Sequence, residues 1–289
     1  LLLNKNMKKH SPSTALLSSF MRFAGMQVVE PHSAFAITVY GVAMIASVVM
    51  TPLIGIIGPF NGGNAPTPNE VYFLPAGYVF SVWGLIYGGF ILIGVWMIRC
   101  ADVLPLRFHA AAPWLVTTAL GNVAWIAFAG RHQWEVLTVP MLLVMELSAW
   151  MAYVHLGLHQ SQKPWWTRTE RLLHIPLRVY VGWLSVATVA NTASVLGNLN
   201  WGGFGISPVI WTVMMLGVAT AVAGIVGYFV NEDNVYRAVF VWAFIGIAVK
   251  QWATQPVAMT ALLMSAILVV TILFSTFSNK YHQLINHTS

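Results

Sequence analysis

The chain reads as an all-α integral membrane protein, and three observations predict that class. Hydrophobic residues make up 58% of its 289 residues and charged residues 8%, whereas soluble domains run at about 45–50% apolar and about 25% charged. Mean hydropathy is +0.72, too high for a soluble globule of this length. The apolar residues also gather in repeated uncharged runs of about twenty, the length at which a helix crosses a bilayer.

Taken in order, the chain opens with a segment, residues 1–33, that precedes the first span. Leu1 to Asn6 stand before Met7-Lys8-Lys9, so the start is expected at Met7. Residues Ser13 to Val29 place Leu16, Leu17, Phe20 and Phe23 on one side, the pattern of a short helix lying on the bilayer. The first apolar run is long and lacks a small-residue cleavage site, so it is expected to remain as a span. Eight runs follow: Ala34–Ile57, Pro75–Ile98, Ala110–Gly130, Glu135–Leu158, Leu172–Leu199, Ser207–Val230, Val235–Val249 and Pro256–Phe277. The fifth is long enough to require an extra-membrane turn or tilt. The seventh is the weakest, being short and carrying Arg237 near its start. A tail, residues 279–289, closes the chain.

Basic residues set the expected orientation. With the amino terminus inside and the spans alternating, only Arg131 and Lys250 of the 14 lysines and arginines fall outside. Short loops with that bias put both termini in the cytoplasm, in an inner or plasma membrane. The net charge of +6 is no nucleic-acid footprint, because the charges lie in short loops rather than on one face. One cysteine, Cys100, excludes an intramolecular disulfide framework and any multi-cysteine metal site. The connection from Gly58 to Leu74 is rich in Gly, Pro and Asn, the chemistry of an outer loop long enough either to fold over the bundle or to stay exposed. The Trp-Gly pairs at Trp83 and Trp201 extend into no shared pattern, so inverted repeats get no support.

The most informative stretch is Pro75-Ala76-Gly77-Tyr78-Val79-Phe80-Ser81-Val82-Trp83-Gly84-Leu85-Ile86-Tyr87. Phe80, Trp83 and Tyr87 lie three and four apart, so at helical spacing their rings share a face. Such a face suits a flat, greasy ligand or a neighbouring helix. The stretch resembles the second-helix signature of the TspO/MBR family (translocator protein, or tryptophan-rich sensory protein), which reads Pro-Pro-Gly-Trp-Val-Phe-Pro-x-x-Trp-Thr-x-x-x-Tyr. It matches at Pro75, Gly77, Val79, Phe80, Trp83 and Tyr87, with Tyr78 in the place of a tryptophan. The Phe-to-Trp spacing is one residue shorter, which turns Trp83 by about 100° relative to Phe80 in an α-helix. The third run holds Asn122-Val123-Ala124-Trp125, with Phe128 and Gly130, similar to the family's Asn-x-x-Trp-x-x-x-Phe-Phe. In the fifth, Trp183, Ala187 and Asn191 follow its Trp-x-x-x-Ala-x-x-x-Asn, and Pro176 and Tyr180 resemble the Pro-Tyr opening that helix.

The resemblance implies a five-helix bundle over residues 34–200 with an interior pocket for a hydrophobic ligand, followed by three additional helices over residues 201–278. It also implies a porphyrin or another tetrapyrrole as the usual bacterial ligand, a sterol as the usual mitochondrial one, and no agreed enzymatic activity. Porphyrin or haem would enter as ligand, and no cofactor is required. The expected partners are membrane lipid and the hydrophobic ligand, with a homodimer left open and no nucleic acid.

Further residues could carry chemistry. Tyr180, Trp183, Ala187, Asn191 and Ser194 form one face of the fifth run, suited to packing, pocket lining or both. Glu146 is the acid nearest the centre of a span and shares its face with Trp150 and Tyr153. A charge there costs about 2.5–3.5 kcal/mol on insertion scales. It should therefore face the bundle interior, neutral or bonded to a donor such as Asn122, and either titrate, contact ligand or fix helix register. His155 and His159 are four apart with His174 across the loop; metal or haem ligation is one reading and an interfacial position the other. No serine elbow, phosphate loop or metalloprotease motif is present.

The candidate ligand-binding set is Pro75, Tyr78, Phe80, Trp83, Tyr87, Asn122, Trp125, Glu146, Tyr180, Trp183, Ala187 and Asn191. The leading reading is a sensor or translocator binding a tetrapyrrole. A proton-coupled small-molecule transporter using Glu146 and a membrane enzyme on a tetrapyrrole or lipid are the alternatives.

Overall fold

Each long apolar run forms a helix, because in lipid a helix satisfies every backbone group within its own segment. The computed structural model describes residues 32–57, 71–129, 135–159, 168–230 and 233–288. The interfacial helix expected at Ser13–Val29 and the Asn61–Asn69 loop lie outside them. The eight helices are α1 (Ala34–Ile57), α2 (Val82–Arg99), α3 (Leu106–Phe128), α4 (Thr138–His155), α5 (Arg168–Asn198), α6 (Pro208–Phe229), α7 (Asn234–Lys250) and α8 (Gln255–Thr288). Short 3₁₀ turns at Gly77–Ser81, Glu135–Leu137 and Gly203–Gly205 precede α2, α4 and α6.

Helix α1 packs on α2 and α3, α2 on α5, α3 on α4, and α4 on α5. The five close into a ring in the order α1–α2–α5–α4–α3. Helix α7 packs on the outside of α5, α8 on α7, and α6 on both α7 and α8. Apolar residues gain nothing by leaving lipid for protein, so contact depends on backbones coming close. A Cβ added at Gly41 would lie 2.6 Å from the Gly94 carbonyl oxygen, and one at Gly94 would lie 2.8 Å from the Gly41 oxygen. Both glycines are therefore required at the α1–α2 crossing. Helix α5 is the hub: 56% of its membrane window is buried, against 22–39% for the other spans.

Of the turn or tilt expected for the fifth run, the structure removes the turn. The fifth run is one unbroken helix of 31 residues with Pro176 inside it, and no turn interrupts it. At 1.5 Å per residue it is about 46 Å long and overruns a hydrocarbon core of about 30 Å. Seven of the described helices are long and apolar enough to cross a membrane, and α7 is not among them.

Helix α7 has 17 residues, about 25 Å, yet it still runs from one end of the bundle to the other. Phe80 and Gly89 on α2 and its lead-in turn meet Trp183 and Pro176 on α5 in reverse order. Glu135 and Glu146, on α4 and the turn before it, likewise meet Asn198 and Ser185 in reverse. Helices α2 and α4 therefore run parallel, both antiparallel to α5. Asp233, capping the start of α7, takes a hydrogen bond from Tyr153 near the end of α4. Gly246, near the end of α7, accepts from Ala76 N–H just before α2, at 3.0 Å. The start of α2 and the end of α4 are at opposite ends of the bundle, and α7 connects them.

Candidate functional site

The rings singled out in the sequence form one cluster between α2 and α5. Trp83 stacks on Tyr87 with centroids 5.1 Å apart. Trp183 receives Phe80 at 5.5 Å and Trp83 at 6.2 Å, both edge to face. Tyr180 extends the cluster to Trp83 at 6.2 Å and Phe90 at 4.9 Å. Despite the one-residue shortening between them, Phe80, on the 3₁₀ turn Gly77–Ser81, and Trp83, on α2, both reach Trp183. The cluster is closed at Trp183, which is 3% exposed, and open at Phe80, which is 45% exposed.

The inward face of α5 continues from this cluster into polar contacts. The Tyr180 hydroxyl lies 3.0 Å from Thr118 Oγ1 and accepts from Asn122 Nδ2 at 3.0 Å. Asn191 Nδ2 donates to Thr138 Oγ1 on α4 at 2.8 Å. Tyr180, Trp183 and Asn191 therefore meet α3, α2 and α4 respectively, as one helical face inside a ring must. Ala187 lies between them and is partly buried, and Trp125 on α3 packs partly buried against the apolar core.

Three of the candidate residues lie elsewhere. Pro75 is buried against Gly246, where an added Cβ would come within 3.2 Å of its ring. Tyr78 stands edge-on to Trp242 at 5.4 Å. Both belong to the junction with α7. Glu146 is the third, and its expected partner Asn122 is replaced by hydroxyls on α5. Ser185 donates to one carboxyl oxygen at 2.7 Å and Thr188 to the other at 3.0 Å. Tyr236 of α7 then donates to Ser185 Oγ at 3.2 Å. Asn122 cannot serve because its amide is spent on Tyr180 and the Thr118 carbonyl. Glu146 thus joins α4, α5 and α7 at the outer face of the ring.

One turn toward the start of α7 lies Asp233, a residue that sequence reasoning missed. It is 2% exposed, accepts from Tyr153 at 2.6 Å, and is 3.6 Å from Arg178 Nε. Its other oxygen caps α7 through the Val235 and Tyr236 N–H groups at 3.0 and 3.1 Å. An aspartate just before an apolar run is an N-cap signal that was available in the sequence. Among the described residues no group of three or more His, Cys, Asp or Glu converges as a metal site. His174 is buried, stacked 6.5 Å from Phe108.

The second missed feature is a cavity of about 670 Å³ between α5, α6 and the Val71–Phe73 segment. Thr188 and Thr192 of α5, Trp211 of α6, and Trp201 on the connecting turn are among its walls, and none of the twelve candidate residues lines it. The available signal was Trp201-Gly202-Gly203-Phe204-Gly205, a glycine-punctuated turn with two aromatic rings.

No curated protein and no solved structure matches the chain. A family comparison does. The family model of TSPO-like proteins matches residues 36–274, from the first turn of α1 into α8, taking in both the five-helix ring and the helices packed against it. This integral, multi-pass membrane protein belongs to the TSPO-like family.

Proposed function

We propose that the protein binds a flat hydrophobic ligand of the tetrapyrrole class within the membrane and acts as its sensor or translocator. The observation that carries this reading is the Trp183 indole. It is 3% exposed, and its Nε1–H has no hydrogen-bond partner among the described residues. A buried donor left unpaired costs about 1–3 kcal/mol, which an acceptor on a bound ligand would offset. Phe80 and Trp83 stand edge-on beside it, and the half-exposed Phe80 lies where a planar ring could slide in and stack. Membership of the TSPO-like family supports a binding role over a catalytic one. The same proposal keeps both termini cytoplasmic, on the charge asymmetry of the loops.

Titration of the detergent-solubilised protein with protoporphyrin tests this. A saturable shift of the Soret band is expected, with quenching of tryptophan fluorescence. Trp183→Phe keeps the ring and removes the N–H, and should weaken binding by about tenfold, the equivalent of one hydrogen bond of roughly 1.4 kcal/mol. An unshifted Soret band in the wild type, or equal affinity in Trp183→Phe, overturns the reading.

A further inference from the structure

The cavity beside the ring is separate from the aromatic cluster, and we propose that it is a second ligand site, taking an uncharged lipid alcohol. Its volume of about 670 Å³ falls within the range of about 300–1,000 Å³ for small-molecule sites. Among the described residues no lysine, arginine, histidine, aspartate or glutamate lines it. An anionic head group placed there would lose water without gaining a countercharge.

The threonine hydroxyls and the Trp211 indole on its walls have already committed their donors, and Tyr72 and Trp201 line it beside them. Thr192 donates to the Thr188 carbonyl at 2.7 Å and Thr212 to the Pro208 carbonyl at 2.9 Å. The Trp211 indole donates to the Gly203 carbonyl at 2.8 Å. Thr188 donates to Glu146 at 3.0 Å. What the threonines retain is hydroxyl lone pairs, so they favour a ligand that brings its own donor. Thr188 is the strongest acceptor of the three, because donation to a carboxyl polarises its oxygen. The lone amide, Asn200, lies on the exposed turn between α5 and α6. An apolar body with one hydroxyl fits this chemistry.

The wall is built rather than left over. Asn200 and Phe204 both have φ of 53° and Gly203 and Gly205 have φ of 61° and 79°. Holding a non-glycine residue there costs about 1–3 kcal/mol. The Trp211–Gly203 hydrogen bond and the Trp201–Trp211 ring contact at 5.4 Å maintain that turn. Together they stand Trp201 and Trp211 against the cavity.

The test uses the full chain in nanodiscs and a diazirine derivative of geranylgeraniol, with labelled sites mapped by mass spectrometry. Labelling is expected between Thr188 and Met215. Free geranylgeraniol should compete, while its phosphate ester and the hydroxyl-free hydrocarbon phytane should compete about tenfold less well. Ala193→Trp and Met215→Trp fill the cavity and should abolish labelling, with elution volume and thermal midpoint confirming the fold. Thr188→Val preserves shape and should weaken competition by about 3–10-fold, the worth of one hydrogen bond. Labels spread along the lipid-facing side of α8, labelling that survives both filling variants, a phosphate ester that competes equally, or a Thr188→Val variant matching the wild type would each overturn the proposal.

Discussion

Replacing Glu146 by leucine removes the carboxyl that joins α4 to α5. Two hydrogen bonds disappear, from Ser185 at 2.7 Å and from Thr188 at 3.0 Å. Each is worth about 0.5–1.5 kcal/mol by general mutational experience, with interhelical bonds in membranes averaging about 0.6 kcal/mol. The expected loss for Glu146→Leu is therefore about 1–3 kcal/mol. Part of it is recovered locally, since the Ser185 hydroxyl already reaches the Val181 carbonyl at 3.1 Å. Glu146→Gln retains one acceptor oxygen, so it should cost about half as much and leave ligand binding intact. Unfolding in mixed micelles, monitored by steric trapping, supplies the free energies. A double-mutant cycle with Thr188→Val isolates the pair, and a coupling of about 0.5–1.5 kcal/mol is expected. Wild-type stability in Glu146→Leu, with coupling under about 0.3 kcal/mol, would refute the assignment of Glu146 as an interhelical joint.

Two further predictions follow from packing and charge. A Cβ at Gly246 would lie 2.1 Å from Val79 Cγ2, so Gly246→Ala should cost about 1–3 kcal/mol through overpacking, and adding Val79→Ala should restore most of the thermal midpoint. In a Cys100→Ser background, Val103→Cys on the α2–α3 turn and Ala253→Cys on the α7–α8 turn should react with impermeant maleimide from opposite sides of the membrane; labelling from one side would defeat the eight-helix alternation.

The helices, their number and most of their limits were legible in the sequence, because hydrocarbon imposes a strong and local demand. Long uncharged runs must be helical to satisfy their backbones, and a polar or aromatic face at helical spacing marks where a helix turns from lipid. Tyr180, Trp183 and Asn191 were identifiable in that way, and the ring does turn them inward against three different helices. Pairing was not legible. The order α1–α2–α5–α4–α3, the attachment of α7 to α5, and the choice of Ser185 and Thr188 over Asn122 for Glu146 all depend on which backbones approach closely. In lipid there is no hydrophobic gain to rank the partners. The choice rests on glycines such as Gly41 and Gly94 and on single hydrogen bonds, between residues dozens of positions apart. The same applies to the cavity. Its threonines read locally as ordinary helix residues, and only the folded turn from Asn200 to Gly205 sets Trp201 and Trp211 against them. Periodicity reports which way a side chain leaves its own helix; what it meets there is decided by segments distant in the sequence packing at one place.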